Sequence, residues 1–175
     1  QKVTESKSLE PIIQLSIIVG KLIHESQIER GLNSAYLSSA NESGTAYVQQ
    51  QYIRTDHQII ELSQYIKSID LTLFNQKFRE DLLSSQVIAI RIDEIRRDIL
   101  SKKISVDESI DWYSEHNESW INLLKHSSEI IDDPEYMQLY ASFLNFIQGK
   151  EFAGIERALM VNVFTDDVFR RGKYE

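Results

Sequence analysis

Apolar residues return at every third or fourth position almost throughout the chain, and no alternation of period two takes over anywhere. This spacing predicts five long helical segments. The first runs from about residue 9 to 40, with Pro11 in its first turn, where a missing N–H costs nothing. Its stripe is Ile12, Leu15, Val19, Leu22, Ile23, Ser26, Arg30, Asn33, Ser34 and Leu37. A turn at Asn41–Gly44 leads to Thr45 as an N-cap. The second helix, over 46–68, is striped by Val48, Tyr52, Thr55, Ile59, Leu62 and Ile66. The third, over 72–101, carries Phe74, Phe78, Leu82, Ser85, Ile88, Ile92, Ile95 and Ile99. Ser105-Val-Asp-Glu108 reads as a capping box, opening a fourth helix over 106–131 with Val106, Ile110, Tyr113, Asn117, Trp120, Ile121 and Leu124 inward. Asp132-Asp133-Pro134 breaks the chain, and a last helix runs to about Arg171, with Gly149 or Gly154 as the place for a bend.

Helices of about 30 residues are about 45 Å long, and with short connections they stack as up-and-down bundles. The expected fold is therefore all-α: an elongated up-and-down helical bundle with a four-helix core, about six helices in all. No linker or low-complexity stretch divides it, so residues 1–175 are expected to form one domain.

Composition narrows what such a bundle can do. Hydrophobic residues make up 42% of the 175, enough for a sizeable core. Cysteine is absent, which removes disulfides, thiolate metal sites and cysteine nucleophiles. No apolar run approaches the roughly 20 residues of a membrane span, and the polar start has no signal-peptide character. The net charge of −8 argues against nucleic acid as a partner. It also means that a small anion meets an unfavourable far field, so a site for one must be locally positive and sheltered.

Enzymatic signatures are missing. None of His24, His57, His116 and His126 follows a Glu by three residues, as a di-metal bundle requires. The glycines form neither a dinucleotide fingerprint nor a P-loop, and no serine sits in a nucleophile elbow. Neither an enzyme nor a cofactor is expected.

Two arginines stand out. Steps of one helical turn from Arg30 land on Ser26, Ile23 and Val19 in one direction and on Ser34 and Leu37 in the other, so its side chain follows the apolar stripe with small polar neighbours beside it. Arg157 does the same near the C-terminus, with Phe146, Ala153, Val161 and Phe164 on its face. A buried guanidinium costs several kcal/mol unless paired, and its fork of parallel donors matches a small planar oxyanion. Two readings stay open at this point. Either an anion sits between the two arginines, or they snorkel to water or pair with Glu29, Glu156 or Asp56. Arg91, Arg96 and Arg97 are expected at the rim of their stripe.

Leu22-Ile-His-Glu-Ser-Gln-Ile-Glu-Arg-Gly31, continuing Leu32-Asn-Ser-Ala-Tyr-Leu37, resembles the N-terminal signature of the nitrate- and nitrite-sensing (NIT) domain family. Gln51-Tyr-Ile-Arg-Thr-Asp56 is similar to its second segment. Lys150-Glu-Phe-Ala-Gly-Ile-Glu-Arg-Ala158 is similar to its C-terminal signature, although Ile155 stands where the family usually has Gln. The resemblance implies an all-helical sensor whose anion-binding arginines are Arg30 and Arg157. Ser26, Ser34 and Thr55 are the candidate polar neighbours of the ligand.

The family that the resemblance points to occurs in chemoreceptors, histidine kinases, nucleotide cyclases and an RNA-binding antiterminator, and the expectation here is the periplasmic part of a bacterial membrane receptor. Such a receptor would be homodimeric and held in the membrane by flanking helices outside this chain. Nitrate or nitrite would bind between the first and last helices and shift one against the other. The competing expectation is a ligand-free structural or protein-interaction bundle with ion-paired arginines.

Overall fold

A computed structural model describes residues 2–39 and 44–166. Six α-helices follow one another: α1 Lys2–Ser38, α2 Thr45–Ser68, α3 Gln76–Ile90, α4 Ile92–Leu100, α5 Val106–Ser127 and α6 Pro134–Asp166. Single 3-10 turns at Leu71–Leu73 and Ser128–Ile130 complete the order. The all-α bundle expected from the sequence is what the chain forms.

The helix starts have local causes. Asn75 accepts the N–H of Phe78 at 2.8 Å to open α3, and Ser105 and Glu108 form the expected capping box ahead of α5. Asp133 accepts the N–H groups of Glu135 and Tyr136 at 2.9 and 3.3 Å, which caps α6.

Several boundaries differ from the sequence reading. α1 begins well before Pro11, which therefore sits inside the helix. Thr45 is the first residue of α2 rather than its cap, which is Gly44. The segment expected as one helix over 72–101 is divided, because Asp70 caps a 3-10 turn, Asn75 starts α3 anew and the chain breaks again at Arg91. α5 ends at Ser127 in a 3-10 turn, earlier than expected. α6 runs uninterrupted through Gly149 and Gly154. Residues 41–43 of the expected turn and 167–171 of the last helix lie outside the described residues.

Side-chain bonds fix the directions. Tyr65 donates to the Pro11 carbonyl and Gln51 to Glu25, so α2 runs antiparallel to α1. Asn33 meets Tyr113 and Ser26 meets His116, so α5 is antiparallel to α1 as well. Ser16 meets Tyr140 and Arg30 meets Glu151, which makes α6 parallel to α1. α1 packs against α2, α5 and α6, and α5 against α3 and α6.

The core has two apolar parts. One gathers Ile12, Leu15, Val19, Leu22 and Ile23 of α1 with Leu62, Ile66, Phe78, Leu82, Trp120, Ile121 and Leu124. The other gathers Tyr36, Val48, Tyr52, Ile92, Ile95, Ile99, Trp112 and Tyr113. Each fully buried large aliphatic or aromatic side chain contributes roughly 1.5–3 kcal/mol. Between the two parts the buried side chains turn polar: Ser26, Glu29, Arg30, Asn33, Gln51, Thr55, Arg96, His116, Asn117 and Glu151.

α6 buries a different face from the one expected. Tyr140, Ile147, Glu151 and Ala158 point inward, whereas Phe146 is 69% exposed and Ala153 and Arg157 face solvent. The side chain of Phe164 lies outside the described residues. The buried stripe carries a carboxylate, and what draws it in is the charge of Arg30.

Candidate functional site

Two guanidiniums lie in the polar layer, and they are held differently. Arg96 of α4, expected at a rim, is 5% exposed. Its Nε and Nη2 donate to the two oxygens of Glu29 at 2.8 and 2.9 Å, a side-on bidentate pair. Its Nη1 donates to Asp56 at 2.5 Å, and the guanidinium lies 4.5 Å from the Tyr52 ring centre. Glu29 also accepts from the Tyr113 hydroxyl. Tyr52 donates to Asn33, and Asn33 in turn to Tyr113, so α1, α2, α4 and α5 are tied at one level.

Arg30 is fully buried on the next residue of α1 and reaches the other way. Its Nη1 donates to Ser114 at 3.0 Å and to Glu151 at 2.5 Å. The second oxygen of Glu151 accepts from Gln27 at 2.7 Å and Asn117 at 3.1 Å. The Nε and Nη2 of Arg30 are buried and meet no hydrogen-bond acceptor among the described residues. Nη2 lies against Gly154 of α6, where a Cβ would stand only 2.7 Å from it. The edge that grips a carboxylate in Arg96 is thus unpaired in Arg30. Buried donors are nearly always paired, and a charged one left over costs more than a neutral one. An unpaired guanidinium fork under a glycine is a place for a planar oxyanion.

His116 supports this corner. Trp120 Nε1 donates to its Nε2 at 3.2 Å, which leaves Nδ1 to carry the proton toward Asn117 and Ser26, each 3.4 Å away. Burial pushes its pKa down to about 4 against the Asn117 hydrogen bond, and the Arg96 charge adds to the lowering. The imidazole is therefore neutral at physiological pH.

The structure brings together some of the sequence candidates and not others. Ser26, Arg30 and Ser34 share the buried face of α1. Ser34 gives its hydroxyl proton to the Arg30 carbonyl at 2.8 Å and Thr55 gives its own to Gln51 at 3.3 Å, so both are satisfied within their helices. Arg157 is exposed, a correction to its expected burial; it lies one turn beyond Gly154 on α6. The ion-pair partner of Arg30 is Glu151, not Glu29, Glu156 or Asp56. Glu151, Gln27 and Ser114 are not among the sequence candidates, and Asn117 is there only as an inward residue of its stripe. The signal for Glu151 was present: it stands four residues from Ile147 and seven from Ala158, on the same side of the helix.

Known proteins agree with this picture of a helical sensor. The model of the NIT family, nitrate and nitrite sensing, matches residues 21–175, and the chain belongs to that family. It is 24% identical over 167 residues to a nitrate regulatory protein of Klebsiella oxytoca, covering 89% of this chain and 40% of the relative. The structure of the NasR transcription antiterminator superposes with a TM-score of 0.89 at 21% identity, over 97% of this chain and 47% of that one. That likeness establishes the fold. The chain spans less than half the length of either relative.

These relatives overturn the periplasmic placement expected from the receptor resemblance. One is a nitrate regulatory protein and the other a transcription antiterminator. Among the described residues no helix is long and apolar enough to cross a membrane.

Proposed function

We propose that this domain binds nitrate or nitrite at the free Nε–Nη2 edge of Arg30 and passes a tilt of α6 to an output module outside this chain. The observation that carries the reading is that unpaired, buried fork. Its geometry matches trigonal oxygens, as the Arg96–Glu29 pair shows for a carboxylate.

Because Gly154 lies against Nη2, an anion entering there must push the later part of α6 outward, while Glu151 keeps its own turn anchored to Arg30. Arg157, exposed one turn beyond Gly154, is the second guanidinium available to the anion at the opening, and Ser26 on α1 lines the approach. Ser34 and Thr55 give their hydroxyl protons to their own helices rather than to the ligand. Binding and displacement are thereby the same event, as a sensor requires.

We further read the domain as a homodimer. Supporting this is an apolar groove of about 270 Å3 where Leu9, Ile13 and Ile17 of α1 flank Tyr136, Leu139 and Phe143 of α6. The charge of −8 keeps nucleic acid out of the proposal for this chain.

Arg30→Lys tests the site, since lysine keeps the charge but not the fork. Calorimetric titration of nitrate and nitrite, with chloride as control, is expected to show binding by the parent and its loss in the variant at unchanged helix content. Equal affinity in both removes Arg30 from the site.

A further inference from the structure

We propose that Glu151 is the specificity determinant of this site: a fixed negative charge that admits monovalent planar anions and rejects dianions such as sulfate. The inference rests on the anion-binding reading above and adds the ligand class that the site selects.

Glu151 is 1% exposed and sits 2.5 Å from the Nη1 of Arg30, so it shares a guanidinium with whatever binds the opposite edge. It cannot swing away. Its first oxygen is held by Arg30, its second by the amides of Gln27 and Asn117. Asn117 is itself oriented by His116, which Trp120 fixes in turn. Five side chains from α1 and α5, three in contact and two behind them, thus position one carboxylate of α6.

The charge count follows. Arg30 and Glu151 sum to zero before any ligand arrives, and the exposed Arg157 one turn beyond Gly154 supplies one positive charge at the opening. Lys150 lies further out, donating to His24 at 2.8 Å, with Glu25 beside it. One negative charge brings the inner group to neutrality, while two leave a net buried charge in a low-dielectric layer. Repulsion by Glu151 also scales with ligand charge, so a dianion is opposed twice as strongly as a monoanion at the same position. A site of two bare arginines would prefer the dianion. The buried carboxylate reverses that preference.

The test is titration of nitrate, nitrite and sulfate, at constant ionic strength in chloride, into the full chain and into Glu151→Gln, Glu151→Asp and Arg30→Lys. The parent is expected to take nitrate and nitrite but not sulfate, and Arg30→Lys to take none of them. Glu151→Gln keeps the shape without the charge, and its nitrate-over-sulfate preference should fall at least about tenfold, equivalent to ~1.4 kcal/mol. Glu151→Asp keeps the charge and should keep the preference. A Glu151→Gln protein as selective as its parent overturns the role of Glu151 and leaves the anion site standing. A parent that binds no nitrate, or binds it without need of Arg30, defeats the site itself. Should Glu151→Gln be unfolded in chloride, the readout becomes which anion restores its helical circular dichroism, since a ligand of the native state drives folding. Restoration by sulfate supports the inference. Restoration by nitrate alone, or by neither, overturns it.

Discussion

Replacing Glu29 by glutamine changes one oxygen to an amide group and removes one charge, at a position with no solvent exposure. The new amide can accept from Arg96 with one atom only, and its NH2 faces a guanidinium N–H donor across a gap that measures 2.8 or 2.9 Å in the parent. Breaking a buried pair by removing one partner costs about 3–5 kcal/mol. Here Arg96 keeps Asp56 at 2.5 Å, a half-exposed partner, so the lower end applies, about 3 kcal/mol. In a domain of this size 1 kcal/mol moves the melting temperature by about 2–4 °C, so thermal circular dichroism should show a fall of about 6–12 °C. Arg96→Met should cost more, because among the described residues it leaves the charged Glu29 with the Tyr113 hydroxyl alone to hold it. The double variant should recover a large part of the sum, because neither charge is then stranded. A fall below about 2 °C for Glu29→Gln, or strictly additive losses in the double variant, would refute the claim that this pair clamps α4 to α1.

Other outcomes follow from the same layer. Gly154→Ala places a methyl 2.7 Å from Arg30 Nη2 and should abolish the nitrate-induced rise in melting temperature while the protein stays helical; an undiminished rise removes Gly154 from the ligand path. His116 titrates near 6.5 when unfolded and about 4 in the fold, so protons favour the unfolded chain as pH drops below 6.5. Its share of the stability, present above 6.5, should shrink by roughly 3 kcal/mol as pH falls to about 4, and chemical denaturation of His116→Gln should show a flatter acid limb than the parent. Equal acid limbs would contradict a buried neutral imidazole. Leu139→Glu puts a charge in the groove between α1 and α6 and should yield a monomer in sedimentation equilibrium, against a parental dimer; a monomeric parent ends the dimer reading.

Much of the fold was legible because four of the long segments have a single apolar face. Ile12, Leu15, Val19, Leu22 and Ile23 are buried where a 3.6-residue period puts them, as are Val48, Leu62, Phe78, Ile99, Ile110 and Trp120. α6 was not legible in this way. Phe146 and Phe152 are exposed, while Tyr140 and Ile147 are buried, so apolar residues surround the helix and periodicity could not choose between faces. The inner face was then marked by Glu151, a residue that hydrophobic patterning counts as outer. Arg30 is buried on the stripe that its period assigns to it, which closes the alternative of snorkelling to water. Arg96 was misplaced at the rim although Ile92 and Ile99 stand four and three residues away, on the same side of the helix. Charge against charge across helices, as in Arg30 with Glu151 and Arg96 with Glu29, is a relation between distant positions that no local period records.

The polar layer between the two apolar clusters also has a mechanical meaning. A bundle with a uniform aliphatic core can slide one helix along another by a turn, about 5.4 Å, and meet equivalent neighbours on arrival. Here such a stroke of α1 would carry Glu29 and Arg30 out of register with Tyr113, Ser114 and Arg96, toward the apolar cluster of Trp112 and Ile99 at one end or that of Leu62 and Trp120 at the other. Each charge moved into apolar surroundings without its partner costs several kcal/mol. The layer therefore behaves as a detent. It blocks the piston stroke and leaves bending and rotation as the soft coordinates, so the domain yields sideways at the outer half of α6 while staying stiff along its axis.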